Sequence, residues 1–248
     1  MAVNKGKSVA LFATCLVDLW RPAVARAAER LLIKAGFKVA VPSGQTCCGQ
    51  VNYNSGDQKG ARKLARRHIM LLVPFDYVVV PSGSCADMIK NHYPALFGND
   101  LDVQKTAQVL SGKTYELTEF LVRIARWKPS RAEGVKKKLV YHDSCSCQRS
   151  LRIYKEPRLL LEAQGKYDLQ ALTGEDRCCG FGGLFSVKYG EVSSHMAGKK
   201  TAAIAETEAE ILTGADLGCL LNLSGKLKAE GSACEVRHIA EILAEEEA

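Results

Sequence analysis

The sequence has no long hydrophobic run, and this absence argues against a membrane-spanning helix. No apolar stretch reaches the roughly 20 residues that a transmembrane helix needs. The segment KGKSVALFATCLVDLW begins like a secretion signal, with lysines before a short apolar run, but no small-residue cleavage site follows it. We therefore expect a cytoplasmic protein with no membrane span.

The sequence also lacks the signatures of several common enzyme classes. It contains neither a Walker motif nor the nucleophile elbow of hydrolases. The glycine-rich stretch CCGFGGL fails as a dinucleotide fingerprint, because Phe185 stands where the third glycine is required. No residue can be named as the general base of a dehydrogenase, so the catalytic residues are unknown and a self-sufficient enzyme is not expected.

Concentrated positive charge is missing as well. Lys and Arg total 34 against 27 Asp and Glu, which gives a net charge of +7. An excess of this size permits nucleic-acid binding without demanding it. The basic residues are scattered, and only VKKKLV forms a run. We expect no nucleic-acid partner.

Histidine is scarce, and no two of its five copies have the spacing of a metal-ligand pair. The five are His68, His92, His142, His195 and His238. His142, in the stretch YHDSC, is the one beside a motif cysteine. It could orient a ligand or move a proton, but a strand histidine with satisfied ring nitrogens is the interpretation we favour. Asp143 is interpreted in the same way.

Cysteine, in contrast, is abundant, with ten copies in 248 residues. In a reducing cytosol, clustered cysteines are more often metal or redox ligands than disulfides. Two stretches, TCCGQ and RCCGF, carry adjacent cysteines followed by glycine. The sequence therefore predicts a metal or redox centre.

The chain repeats itself. SVALFATC matches KLVYHDSC, FKVAVPSGQTCCG matches YDLQALTGEDRCCG, and DYVVVPSGSC matches EILTGADLGC, with offsets between 130 and 134 residues. YELTEFL and HIAEIL form a fourth pair. This pattern predicts two homologous halves, residues 1–127 and 138–248, joined by a polar linker at 128–137.

Each half alternates short β-branched runs with helical periodicity. VALFATC, FKVAVP and YVVVPS are typical of buried parallel strands. Helical spacing of apolar residues runs from Trp20 to Ala35, where Gly36 ends it, and from Ala61 to Leu72, where Pro74 follows. We predict an α/β fold of two homologous halves, each a parallel sheet layered with helices and related by an internal pseudo-twofold duplication.

The repeat sorts eight cysteines into two sets. Some of them should close an apolar strand and the others follow one in a loop, which would bring them to the edge of the sheet where ligands gather. Four converging thiolates suit an iron–sulfur cluster or zinc, and adjacent cysteines favour the cluster, because both binding one tetrahedral zinc is more strained. Cys147 and Cys234 have no counterparts and are interpreted as ordinary buried residues. The first set is Cys15, Cys47, Cys48 and Cys85, and the second is Cys145, Cys178, Cys179 and Cys219.

Several longer stretches resemble one known family. LFATCLVD, CCGQVNYNSG, VVVPSGSC, TYELTEFLV, CCGFGGLFSVK and GADLGCLLNL are similar to landmarks of the lactate utilisation protein A family, whose members carry a duplicated cysteine-rich CCG domain. The same domain occurs in one of the subunits of heterodisulfide reductase and in the glycolate oxidase iron–sulfur subunit. The chain departs from the fullest motif, since Ser82 and Asp216 stand where the first cysteine of a final Cys-x-x-Cys is found. We favour a turn or cap role for both over ligation through oxygen.

The resemblance implies an iron–sulfur-binding, electron-transferring subunit of a cytoplasmic complex that oxidises L-lactate to pyruvate. It implies a ferredoxin-like iron–sulfur subunit and a small third subunit as partners. Four cysteines per half are enough for a [4Fe–4S] cluster, so one or two clusters are expected per chain, and zinc in one half is also allowed. The alternatives are a glycolate oxidase or heterodisulfide-reductase-like system, and a structural zinc module without a redox role.

Overall fold

The computed structural model describes residues 6–131 and 135–245. The chain divides into two compact units, residues 1–127 and 128–248. The linker predicted at 128–137 includes residues 132–134, which lie outside the described residues, and the first strand of the second unit begins at Lys137. The boundaries of the linker therefore stay a prediction.

The first unit is built on a four-stranded sheet in which every neighbouring pair is parallel. The strand order is β2-β1-β3-β4. Residues 9–11 and 78–80 are completely buried, as expected for central strands covered on both faces. The strands are β1 (Ser8–Leu11), β2 (Lys38–Ala40), β3 (Tyr77–Val80) and β4 (Thr114–Glu116).

Helices lie between successive strands along the chain, as in a layered α/β unit. Two stretches of the first unit, Met88–His92 and Phe120–Ile124, are π-helical. The α-helices are α1 (Cys15–Trp20), α2 (Ala23–Lys34), α3 (Gln50–Asn54), α4 (Gln58–Leu72), α5 (Gly83–Asp87), α6 (Tyr93–Leu96), α7 (Leu101–Gly112) and α8 (Leu117–Glu119).

The helical pattern from Trp20 to Ala35 corresponds to more than one helix. The structure breaks it between α1 and α2, at Arg21 and Pro22, because the ring of proline fixes φ and removes the backbone donor. Trp20, the first apolar residue of the pattern, is 72% exposed. The apolar face of α2 is buried as predicted, and Gly36, with a φ of +92°, follows the end of this helix.

The second unit repeats the plan with its own parallel sheet, in the order β6-β5-β7-β8. A π-helical stretch, Ser146–Ser150, follows its first strand. The strands are β5 (Lys137–His142), β6 (Tyr167–Gln170), β7 (Ile211–Gly214) and β8 (Glu235–His238). The helices are α9 (Lys155–Gln164), α10 (Phe185–Lys188), α11 (Gly190–Glu206), α12 (Leu217–Ala229) and α13 (Ile239–Leu243).

The two sheets confirm the predicted fold class, an α/β architecture of duplicated halves with parallel sheets. In each sheet the strand order reverses beside the first strand, between β1 and β3 and between β5 and β7. Ligands of open parallel sheets bind at such a switch point, outside the carboxyl ends of the strands. None of the helices in the described residues is long and apolar enough to cross a membrane.

The start of α12 offers a test of packing beside the cysteine loop. A Cβ added at Gly218 would lie 2.4 Å from Cε1 of Phe181, whereas one added at Gly225 of the same helix would meet open space. We predict that Gly218→Ala lowers the free energy of unfolding by about 1–3 kcal/mol through overpacking. Gly225→Ala should raise it by about 0.5–1 kcal/mol, because alanine favours the helix. Thermal denaturation of both variants measures the contrast, and equal midpoints would contradict it.

Candidate metal centre

Cys15 and Cys85 lie just beyond two adjacent strands at the switch point of the first sheet. Cys15 is the first residue of α1, and Cys85 is in the first turn of α5. The prediction that such cysteines close a strand is therefore wrong by a few residues, because each strand ends before a short connection that leads into a helix. The Thr14 side chain caps α1 by accepting from the N–H of Val17 at 3.4 Å.

The adjacent cysteines Cys47 and Cys48 lie in the loop after β2 and approach Cys15 and Cys85 from there. Gly49 follows it with a φ of +90°, in the left-handed region that glycine enters freely. The N–H of Gly49 donates to the Sγ of Cys47 at 3.4 Å. The Sγ atoms of Cys48 and Cys85 lie 3.2 Å apart. The turn at Gly49 therefore places the loop cysteines Cys47 and Cys48 next to the cysteines in the first turn of the helices α1 and α5.

The four thiols of the first set form a continuous chain of contacts. Hydrogen bonds from the thiols of Cys15 and Cys48 hold the pKa of Cys47 well below its ordinary range. The same contact with Cys47, together with burial, raises the pKa of Cys15 and of Cys48. A bound metal cation would displace these shared protons, because thiolates rather than thiols are metal ligands.

The second set repeats this arrangement. Thiol hydrogen bonds from Cys145 and Cys179 lower the pKa of Cys178, and Cys179 also contacts Cys219 in the first turn of α12. Gly180, with a φ of +84°, donates its N–H to the Sγ of Cys178 at 3.4 Å. The N–H of the next residue, Phe181, donates to Cys179 at 3.5 Å.

Both sets also have the same pattern of exposure. The first cysteine and the first of the adjacent pair are partly exposed, while the other two are buried. All eight are free thiols. Four sulfurs from three chain segments, linked by pairwise contacts and approached by backbone N–H donors, fit a metal held by thiolates, either an iron–sulfur cluster or zinc.

The remaining cysteines and the two substituted positions have ordinary structural environments. Cys147 is buried in the π-helical stretch of the second unit, and Cys234 is half-buried just before β8. The Oγ of Ser82 accepts from the N–H of Cys85 at 3.4 Å, and Oδ1 of Asp216 accepts from the N–H of Gly218 at 3.2 Å. Ser82 and Asp216 are thus the N-caps of α5 and α12, the role that the sequence analysis favoured.

A side chain anchors the carbonyl of the second paired cysteine in each unit, which the sequence analysis missed. The Tyr93 hydroxyl donates to the carbonyl oxygen of Cys48 at 2.8 Å, and Nδ2 of Asn222 donates to that of Cys179 at 2.8 Å. Tyr93 is the first residue of α6, beyond the π-helical stretch that follows α5, whereas Asn222 lies on α12 itself, three residues after Cys219. They differ in type and in distance from the last cysteine of their set, so the repeat does not reveal them.

His68 of α4 holds the hydroxyl of Tyr93 in position. Its Nε2 accepts from the N–H of Thr46 at 3.2 Å, so the proton is on Nδ1 and is donated to the hydroxyl of Tyr93 at 3.0 Å. Burial, with help from Arg67, lowers the pKa of His68 to about 4 and keeps it neutral. A buried relay thus runs from the helix α4 to the cysteine loop.

The second unit has a different polar environment beneath its thiols. Lys200 of α11 is buried, and its Nζ donates to the carbonyls of Gly174 and Glu175 at 3.1 and 2.9 Å. Asp143 forms a two-point ion pair with Arg158, at 2.9 and 2.7 Å, so its predicted satisfied state is observed. A buried cation therefore lies beneath the second cysteine loop, where the first unit has a neutral imidazole.

His142 does not match its predicted satisfied state. It is 1% exposed, and neither ring nitrogen has a hydrogen-bond partner among the described residues. One of its ring nitrogens and the Sγ atoms of Cys179 and Cys219 all lie within 4.8 Å of one another. Burial, together with Lys200, lowers the pKa of His142 to about 3, so the imidazole is neutral.

Comparison with known proteins places these features in a family. The CCG family, described as a cysteine-rich domain, matches residues 9–90 and 139–224, one match in each unit. Lactate utilization protein A of Bacillus velezensis is 44% identical over 95% of this chain and 98% of its own length. The chain belongs to the lactate utilization protein A family.

A second relative supports this assignment, and one solved structure shares the fold. The lactate utilization protein A of Shouchella clausii is 42% identical, over 95% of this chain and 98% of its own length. A crystal structure of a hypothetical protein from Helicobacter pylori is similar in fold, with a TM-score of 0.69 at 12% identity. That match covers 99% of this chain but only 50% of the other, so the chain spans about half the length of that structure.

The anchor at Tyr93 gives a local test. Tyr93→Phe removes one hydroxyl and leaves the buried carbonyl of Cys48 and Nδ1–H of His68 without it. A loss of about 1–3 kcal/mol of local stability should raise amide exchange of the loop containing Cys48 by about tenfold or more. Hydrogen–deuterium exchange with mass spectrometry measures this rate.

The matched control is Tyr53→Phe, which also removes one hydroxyl, from a half-buried ring that keeps its contact with His92. We expect this control to leave exchange of the loop unchanged. Equal exchange in the two variants would contradict an anchoring role for the Tyr93 hydroxyl.

Proposed function

We propose that this chain is an iron–sulfur-binding, electron-transferring subunit of a cytoplasmic complex that oxidises L-lactate to pyruvate. The observation that carries the proposal is the paired set of four thiols, placed at the same switch point in both units. Four thiolates suit one [4Fe–4S] cluster, so each unit would hold one. The eight ligands would be Cys15, Cys47, Cys48, Cys85, Cys145, Cys178, Cys179 and Cys219.

The lactate assignment is supported by the family. The two relatives described above share more than two fifths of their residues with this chain and are named for lactate utilization. Their similarity extends through both cysteine sets rather than covering one unit alone. We infer that this chain has the same role.

The environment of the sulfurs is suited to electron transfer. Backbone N–H groups of Gly49, Gly180 and Phe181 point at cysteine sulfurs, and such hydrogen bonds raise the potential of a thiolate-bound centre. Cys15 and Cys47 are partly exposed, so a centre at the first set would be close to solvent and within reach of a redox partner. The bound cluster would supply the one-electron chemistry, while the chain holds it and sets its potential.

An exposed apolar pair supports the proposed partners. Leu19 and Trp20 of α1 are 75% and 72% exposed, one turn from Cys15. Large exposed aromatic and aliphatic residues are common at protein interfaces. We propose that a ferredoxin-like iron–sulfur subunit and a small third subunit complete the complex, and that electrons pass between the subunits.

Zinc in the second unit is the second candidate. The observation that favours it is the mixed group of His142, Cys179 and Cys219, since zinc binds nitrogen and sulfur ligands together. A zinc ion there would leave the first unit as the redox centre. Metal analysis of separate variants distinguishes the two candidates.

Replacing one buried thiol in each set tests the two-centre proposal. We predict that Cys48→Ser removes or alters the centre of the first unit only, and that Cys179→Ser does so for the second only. Cys234→Ser, which changes a cysteine outside both sets, is the matched control and should retain both centres. Iron, sulfide and zinc content with electron paramagnetic resonance of anaerobic protein measures this. Loss of both centres from one substitution would contradict two separate sites.

Turnover with the partner subunits tests the substrate. We expect the assembled complex to oxidise L-lactate, and the Cys48→Ser chain to lower that rate at least tenfold, because one step of electron transfer is lost. Glycolate and a heterodisulfide are the comparison substrates. Turnover of either one in preference to lactate would assign the chain to the alternative systems.

A further inference from the structure

His142 differs from the residue at the same position of the first unit. It ends the strand β5, three residues before Cys145, as Phe12 stands three residues before Cys15 just beyond β1. Phe12 is completely buried, and its ring contacts the edge of His68 with centroids 5.1 Å apart. The first unit therefore fills this position with hydrocarbon, while the second buries two polar nitrogens there.

Burying an imidazole without hydrogen bonds is unfavourable, so these nitrogens require an explanation. Two charged side chains of this region are already engaged elsewhere. Lys200 donates to two backbone carbonyls, and Asp143 is paired with Arg158. One ring nitrogen does lie within 4.8 Å of the sulfurs of Cys179 and Cys219, which are themselves that close to each other.

We propose that His142 is a ligand of the metal centre in the second unit, beside Cys179 and Cys219. This inference rests on the proposed function, since it requires a metal at the second set. A neutral imidazole nitrogen is a common metal ligand and binds iron and zinc alike. The second centre then has a mixed imidazole–thiolate ligand set, whereas the first unit, with Phe12 at this position, has thiolates alone.

A mixed ligand set has a redox consequence. A histidine that takes the coordination place of a cysteine raises the reduction potential of an iron–sulfur centre, because a neutral ligand replaces an anionic one. His142 would here take the place of one of the four thiolates of the second set. The buried Lys200 acts in the same direction by favouring the more negative, reduced state of the centre. The second centre would therefore have a higher reduction potential than a centre held by thiolates alone.

Labelling with [15N]histidine tests the ligand assignment without any substitution. The probe is the metal carried by the anaerobically purified full chain. If that metal is an iron–sulfur cluster, pulsed electron paramagnetic resonance of the reduced protein should show a strong nitrogen coupling that changes with the label. If it is zinc, X-ray absorption at the zinc edge should require a nitrogen ligand beside sulfur.

A pair of variants then assigns the nitrogen to His142. His142→Phe copies the residue of the first unit and should abolish the strong nitrogen signal. In the redox case it should also lower the potential of the second centre. The control, His195→Gln, changes an exposed histidine of the same unit and should leave both unchanged.

The outcomes separate this inference from the proposed function. A metal at the second set with no histidine nitrogen bound overturns the His142 assignment and leaves the metal centre standing. A weak coupling, typical of a nitrogen hydrogen-bonded to sulfur, also overturns it. A strong nitrogen signal that persists in His142→Phe also overturns the His142 assignment. No metal at either set overturns the proposed function together with this inference. If His142→Phe fails to fold, the labelled wild-type protein still decides whether any histidine is bound.

Discussion

Each unit depends on one constraint, which is that four sulfurs from three separate segments must lie in contact without leaving backbone groups unsatisfied. The parallel sheet meets half of it, because adjacent strands deliver Cys15 and Cys85 to the same edge. The cysteine loop meets the other half through the left-handed Gly49 and the carbonyl anchor from Tyr93. Neighbouring thiols in each set are within hydrogen-bond contact of one another, so the fold holds a set of donors that suits a cation.

The two units share their cysteine sulfurs but differ in the buried polar residues that contact the cysteine loops. Both units retain the thiol contacts, the glycine after the paired cysteines and the partly exposed first two cysteines of each set. Beneath the loop, the neutral His68 of one unit contrasts with the buried cation of Lys200 in the other. Such differences alter the potential and the ligand set of a centre without moving its cysteines. One chain can therefore hold two centres of different character on a single repeated scaffold.

The sequence was sufficient to predict the duplicated α/β fold and to group the cysteines whose thiols the structure brings into contact, because the repeat marks them at nearly constant offsets. It predicted the helices α2 and α4 from the spacing of apolar residues. That spacing continues across Pro22, so it did not predict the break between α1 and α2. The environment of His142 escaped prediction, since whether a ring nitrogen finds a partner depends on tertiary neighbours. The anchors Tyr93 and Asn222 escaped for a related reason, because two different residues at different spacings perform the same task.

The most direct measurement is the iron, acid-labile sulfide and zinc content of the anaerobically purified chain, determined together with its partner subunits and counted per thiol set. The account predicts about four iron and four sulfide for each set that holds a [4Fe–4S] cluster, with visible charge-transfer absorption. Zinc at the second set alone, with iron and sulfide at the first, still agrees with electron transfer through the first unit. Protein that carries zinc alone, or neither iron nor sulfide, would contradict the central claim that these thiols hold a redox centre.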